Sequence, residues 1–304
     1  YRADLCAGLR EEMPCIPSKY LYDERGAALF EEICRLPEYY PTRTEDRILR
    51  RRGRALRAAL PTDCHLVELG SGEACKTPHV NEAIHPAAYT PVDIAGPQLA
   101  GLAARFRRRW PSMTVSPVHA DFTALRRLPP WLETDRPRVV FFPGSTIGNF
   151  PTDQAGDLLR NMASIAGPDG HVVCGFDLAK DPTVIHAAYN DSAGITAAFN
   201  RNLIVRARTE LGWDLDEMAF RHEAPYLPEL GRVEMRLIPE HDQILPAEVG
   251  RPLLPAGTVI TTEYSHKYSP AGIDALLATA GLGCHAWLTD ERQWFAVAVA
   301  RPIN

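Results

Sequence analysis

Two glycines, Gly70 and Gly72, stand between the apolar run HLVEL and the segment TPHVNEAI. A strand, a glycine turn and a helix in that order can seat an anion or a nucleotide at the helix N-terminus. The dinucleotide pattern G-x-G-x-x-G is incomplete, because Cys75 occupies its third glycine position. The phosphate-loop pattern is also absent, and Lys76-Thr77 only imitates its end. Asp93 closes the next apolar run, YTPVDI, where an acid can accept both ribose hydroxyls of an adenosine. Asp121, in HADF, closes a third run and could take the adenine amino group. An acid for the ribose, an acid for the adenine and no pyrophosphate glycine point to an adenosyl ligand without phosphates. S-adenosylmethionine is such a ligand, and Lys76 could pair with its carboxylate.

The elements that must position these residues alternate. Apolar strand candidates HLVELG, YTPVDI, TVSPVHADF, RVVFFPG and HVVCGFDL interleave with helical TPHVNEAI, PQLAGLAARFRRR and TDQAGDLLRNMASIA. Such alternation predicts a parallel sheet with helices on both faces. Upstream, ERGAALFEEICRL reads as a helix. Thr42 and Glu45 have capping-box spacing, which predicts a second helix starting near Arg43 and leaves PEYYP, Pro37 to Pro41, as a loop. After Asp177 the rhythm breaks for a long insert. It holds one long helical stretch, TVIHAAYNDSAGITAAFNRNLIVRART, and two strand candidates, RVEMRLIP and GTVITTEYSHKYS. Alternation resumes at PAGIDALLATAGLG, capped by Ser269, and ends in CHAWLTD and QWFAVAVAR, two strands joined closely enough to be antiparallel.

Composition narrows the function classes. A net charge of -5 gives no basic surface for nucleic acid or anionic lipid. RFRRRW, Arg105 to Trp110, reads as the solvated end of a helix. No run approaches the ~18 apolar residues of a membrane span. Seven scattered cysteines without a CxxC pair suit a reducing cytoplasm better than a disulfide or zinc framework, and the histidines lack ligand spacing, so no metal is expected. His119, His266 and the Trp294-Phe295 pair read as structural.

The sequence resembles the histidine-specific, S-adenosylmethionine-dependent methyltransferases of ergothioneine biosynthesis over nearly its whole length. The stretches that carry the likeness are YLYDERGAALFEEICRLPEYYPTRTE, VELGSGEACKT, PVDIAG, ADF, FFPGSTIGNF, YND, RVEMRL and TEYSHKYS. The resemblance implies trimethylation of the α-amine of L-histidine to hercynine. A cytoplasmic enzyme acting as a monomer is expected. It implies an α/β fold, a class I methyltransferase Rossmann-like sheet of seven strands over 46–177 and 269–304. A substrate-binding α+β domain would be built from 1–45 and the insert 178–268.

By the same resemblance Gly70, Gly72, Lys76, Asp93, Asp121 and Phe122 contact the cofactor. Asn149 holds the substrate amine and Tyr189 its carboxylate, while Glu263 and Ser265 hold the imidazole beside Met235. A tyrosine of EYYP, Tyr39 or Tyr40, lines the site, with Tyr40 favoured, and Tyr22 closes over the imidazole. Asn149, Tyr40 and Tyr189 form the expected catalytic set. Tyr264 departs from the pattern, where an aliphatic residue is expected, and strand alternation turns it away from its neighbours.

Residues 263 and 265 of one strand share a face, so both can reach one ring. Glu263 can accept from one imidazole N–H while Ser265 meets the other nitrogen as donor or acceptor. An indole would not need that polar pair, which separates histidine from the alternative of a tryptophan derivative. Cys75 opposes the further alternative of a nicotinamide oxidoreductase.

Overall fold

The computed structural model describes residues 1–132 and 134–303. It divides into two compact units. One comprises Pro41–Ala179 and Tyr268–Asn304, the other Tyr1–Tyr40 and Lys180–Lys267.

The first unit is built on one sheet. Its order is Leu282–Thr289, Phe295–Pro302, His171–Asp177, Arg138–Phe142, His65–Leu69, Ala88–Asp93, then the short strands Thr114–Val115 and Val118–His119. All neighbours are parallel except the last hairpin, where Phe295–Pro302 runs antiparallel both to His171–Asp177 and to Leu282–Thr289. This is the Rossmann-like order of the class I methyltransferases. Alternate residues feed two cores. Val140 and Phe142 face one with Leu159 and Ile273, while Val139 and Phe141 face the other with Val80 and Phe106. Burial on both faces explains why these strands are continuous apolar runs.

Three expectations need correction here. The third strand run is broken into two dipeptides, because Pro117 has no N–H to give the ladder. The second helix begins at Tyr40 and not near Arg43, and runs to Arg51. Pro41 is tolerated in its first turn, where an N–H would lack a helical partner anyway. Glu45 therefore does not turn back onto a cap; it pairs with Lys76 and accepts from Gly144 N–H at 2.8 Å, both within this unit. Glu45 thus belongs to this unit, and the first division falls after Tyr40.

The second unit is α+β. Ile260–His266, Arg232–Pro239 and Phe220–Glu223 form an antiparallel sheet in that order. Glu24–Arg35, Pro182–Tyr189 and Ile195–Leu211 are its main helices. The long helical stretch of the insert is two helices. Asp191 accepts from the N–H groups of Ile195 and Thr196 at 2.8 Å each, and Gly194 has φ +72°, so a new helix starts there. That break makes Tyr189 a helix-terminal residue. Ser269 caps Pro270–Thr279 as expected, accepting from Gly272 N–H at 3.0 Å.

Candidate active site

The glycine turn and Asp93 stand at the ends of His65–Leu69 and Ala88–Asp93. Gly70 and Gly72 have φ of +66° and +46°, a region that disfavours side chains. A Cβ on Gly70 would come within 3.3 Å of the Phe122 ring, so Phe122 lies over the turn. Asp93 ties the turn together, with one oxygen accepting Gly72 N–H at 2.8 Å and the other Ala95 N–H at 3.0 Å. Each carboxylate oxygen has a second lone pair for a ribose hydroxyl. Asp121 accepts from the N–H and the hydroxyl of Thr123 at 2.9 and 2.6 Å, which holds its loop in an Asx turn. Beneath the turn, buried Glu68 accepts from the Thr77 hydroxyl and from Tyr89, and burial raises its carboxyl to about 7. These bonds fasten the helix start to the strand.

Two features here escaped the sequence reading. Lys76 is ion-paired to fully buried Glu45. Gly175 leaves room for that carboxylate, since a Cβ there would collide with its second oxygen. Both depend on residues brought together from far apart in the chain. Asn149, half-buried, ends a short turn, Thr146–Asn149, opened by Ser145 at φ +56°. Ser145 Oγ fixes that turn by accepting from Asp177 N–H at 2.9 Å.

The other unit gathers Tyr22, Tyr39, Tyr40, Tyr189, Met235, Glu263 and Ser265. Glu263 and Ser265 lie on one face of Ile260–His266 and are 9% and 6% exposed. Met235 stands opposite Glu263 on the neighbouring strand and is buried. Residues directly opposed across an antiparallel pair share a face. Tyr264 lies on the other face, with the Arg232 guanidinium 4.1 Å from its ring centroid. Burial pushes the Glu263 carboxyl up to about 8, against the lowering pull of the Lys267 charge.

Aromatic rings surround this pair. Tyr39 meets the ring edges of Phe30 and Tyr189 at centroid distances of 6.1 and 6.2 Å. Tyr22 packs edge-on against Phe30 and Phe199 at 5.4 Å each and is 36% exposed. Tyr40, buried, accepts a hydrogen bond from Lys180 at 2.7 Å, so the aromatic cluster holds Tyr39 and the Lys180 bond holds Tyr40. The Tyr189 hydroxyl lies 2.7 Å from Ser265 Oγ. His222 supports the Tyr189 backbone. Its Nε2 donates to the Tyr189 carbonyl at 3.0 Å, so Nδ1 accepts from Asn200 at 3.0 Å. The sequence reading missed Lys267 as a site residue; it donates to both the Tyr189 and the Ser265 hydroxyls.

The family profile described as "Histidine-specific methyltransferase, SAM-dependent" matches residues 1–302. The chain belongs to that family. The methyltransferase is similar to a Histidine N-alpha-methyltransferase of Mycolicibacterium smegmatis, 38% identical over 98% of this chain and 94% of that protein. It is 30% identical to Ergothioneine biosynthesis protein 1 of Neurospora crassa over 88% of this chain, which spans 31% of that protein. It is also 27% identical to a 4-dimethylallyltryptophan N-methyltransferase of Epichloe festucae var. lolii, over 93% of this chain and 90% of that protein. Membership excludes the nicotinamide oxidoreductase alternative.

Proposed function

We propose that this methyltransferase transfers three methyl groups in succession from S-adenosylmethionine to the α-amine of L-histidine, giving hercynine for ergothioneine synthesis. The observation that carries the reading is the buried pair Glu263 and Ser265 on one strand face of a histidine-specific family member. A carboxylate held out of water is costly unless a partner meets it, and an imidazole N–H is such a partner. The related tryptophan-derivative enzyme makes an indole acceptor the second reading. An indole has one N–H and leaves one of the two polar groups unmatched.

The turn at Gly70 and Gly72, with Asp93, Asp121, Phe122 and Lys76, would hold S-adenosylmethionine. The absence of side chains at Gly70 and Gly72 and the two carboxylates at the edge of the turn suit an adenosine without phosphates. When bound, the cofactor supplies a methyl already activated by a sulfonium charge.

The chain's own residues supply orientation. In the first two transfers Asn149 accepts from an amine N–H and so aims the nitrogen lone pair, which is catalysis by positioning. The tertiary amine of the third has no N–H, and its orientation comes from the hold on the carboxylate and the ring. Tyr189 donates toward the substrate carboxylate. Tyr40, Tyr39 and Tyr22 offer oxygens and ring faces that tolerate the positive charge of a methylated amine. Each amine proton leaves to water, so no side-chain base is required. We take the enzyme to be cytoplasmic, consistent with its scattered, odd-numbered cysteines, and to act as a monomer. Mass spectrometry of histidine incubated with S-adenosylmethionine and the protein tests the reading; absence of a trimethylated product refutes it.

A further inference from the structure

Lys267 lies one residue beyond the strand that carries Glu263 and Ser265, and only 6% of it is exposed. Its ammonium donates to Ser265 Oγ at 2.7 Å and to Tyr189 Oη at 2.8 Å, and sits 4.6 Å from the Tyr189 ring centroid. The two hydroxyls are themselves 2.7 Å apart. Three polar groups thus close a triangle out of water, where loss of one corner removes two of its three hydrogen bonds.

We propose that Lys267 is a positioning residue for substrate recognition: by locking the Tyr189 and Ser265 hydroxyls into one pair, it makes the carboxylate and the ring of the amino acid be read jointly. The proposal rests on the histidine reading above.

Proton counting gives the reason. An ammonium only donates, so each hydroxyl oxygen spends a lone pair on Lys267. The two hydroxyls hold two hydrogens, and their mutual bond uses one. The pair therefore has at most one hydroxyl hydrogen to offer a ligand. If Tyr189 gives it to the substrate carboxylate, Ser265 must be the donor to Tyr189. Ser265 then meets the ring with a lone pair, as acceptor of one ring N–H, and with Glu263 accepting the other the ring is bound as the imidazolium. Removing the carboxylate frees the hydrogen and lets Ser265 turn donor. The same ring is then read differently, according to whether a carboxylate is present.

The test is a four-ligand cycle, measured by binding in the presence of S-adenosylhomocysteine. The ligands are histidine, histamine, 3-(2-thienyl)alanine and 2-(2-thienyl)ethylamine, which remove the carboxylate, the ring nitrogens, or both. In the wild type, losing the ring nitrogens should weaken binding about tenfold more with the carboxylate present than without it. In Lys267→Met the two penalties should become equal, and Lys267→Arg, which keeps a buried donor, should restore part of the difference. Tyr189→Phe and Ser265→Ala each remove one corner and should each abolish the coupling, which keeps the test decisive if Lys267→Met fails to fold. Additive penalties in the wild type, or coupling that survives any of these three removals, overturn the proposal. A wild-type protein that binds S-adenosylhomocysteine but not histidine refutes instead the histidine reading.

Discussion

Lys76 of the glycine turn is ion-paired with Glu45, a carboxylate with no solvent exposure. Glu45 also accepts Gly144 N–H, so one side chain ties the glycine turn to the loop that leads to Asn149. Removing one partner of a buried pair leaves an uncompensated charge, which typically costs about 3–5 kcal/mol. Glu45→Gln should therefore lower stability on that scale in a denaturant melt and weaken S-adenosylmethionine binding. Unchanged stability would show that the pair is incidental.

Asp93 supports the turn through two N–H groups and is proposed to hold the ribose. Asp93→Ala should weaken S-adenosylmethionine binding by about 1.5–3 kcal/mol, the scale of charge-assisted hydrogen bonds. Calorimetry should detect S-adenosylmethionine and S-adenosylhomocysteine but no NAD. Full affinity in the variant would remove Asp93 from the cofactor site.

Glu263 couples stability to pH. Its carboxyl is pushed from an ordinary 4.5 to about 8 in the folded chain. Below the lower value both states are protonated and no penalty exists. Between the two values only the unfolded state ionises, so stability falls as pH rises. Above about 8 the full penalty remains. Glu263→Gln escapes it, so its melting temperature relative to wild type should climb from pH 5 to 8 and then level off, for a gain on the order of a few kcal/mol. A constant difference across that range would mean that Glu263 is ionised in the ligand-free protein at all these pH values.

Glu263 is also proposed to set specificity. Glu263→Ala should lower kcat/KM for histidine by about 2–4 kcal/mol, a buried charged hydrogen bond with its desolvation penalty. S-adenosylmethionine affinity should stay close to wild type, and preference for histidine over phenylalanine or tryptophan should narrow. Retained turnover with unchanged preference would make Glu263 a bystander.

Much of this architecture is visible in the sequence because it is local. Period and turn chemistry mark the parallel strands, the insert, the antiparallel last hairpin and the Ser269 cap. The shared face of Glu263 and Ser265 follows from strand period alone. What escapes is set by distant partners. Thr42 and Glu45 have capping-box spacing, yet Lys76 and Gly144 claim the carboxylate. Lys267 reads as a strand-end lysine until Tyr189, 78 positions away, is placed against it. The helix break before Ile195 was written in Asp191 and Gly194, whose capping role the continuous helical pattern obscured.

The most direct measurement of the central claim is mass spectrometry of all common amino acids incubated together with the protein and S-adenosylmethionine. If Asn149 aims the α-amine at the methyl, histidine alone should gain about 42 mass units, three methyls of ~14 each, all on the α-nitrogen. A ring-methylated histidine as main product, or a different amino acid carrying the methyls, would contradict it.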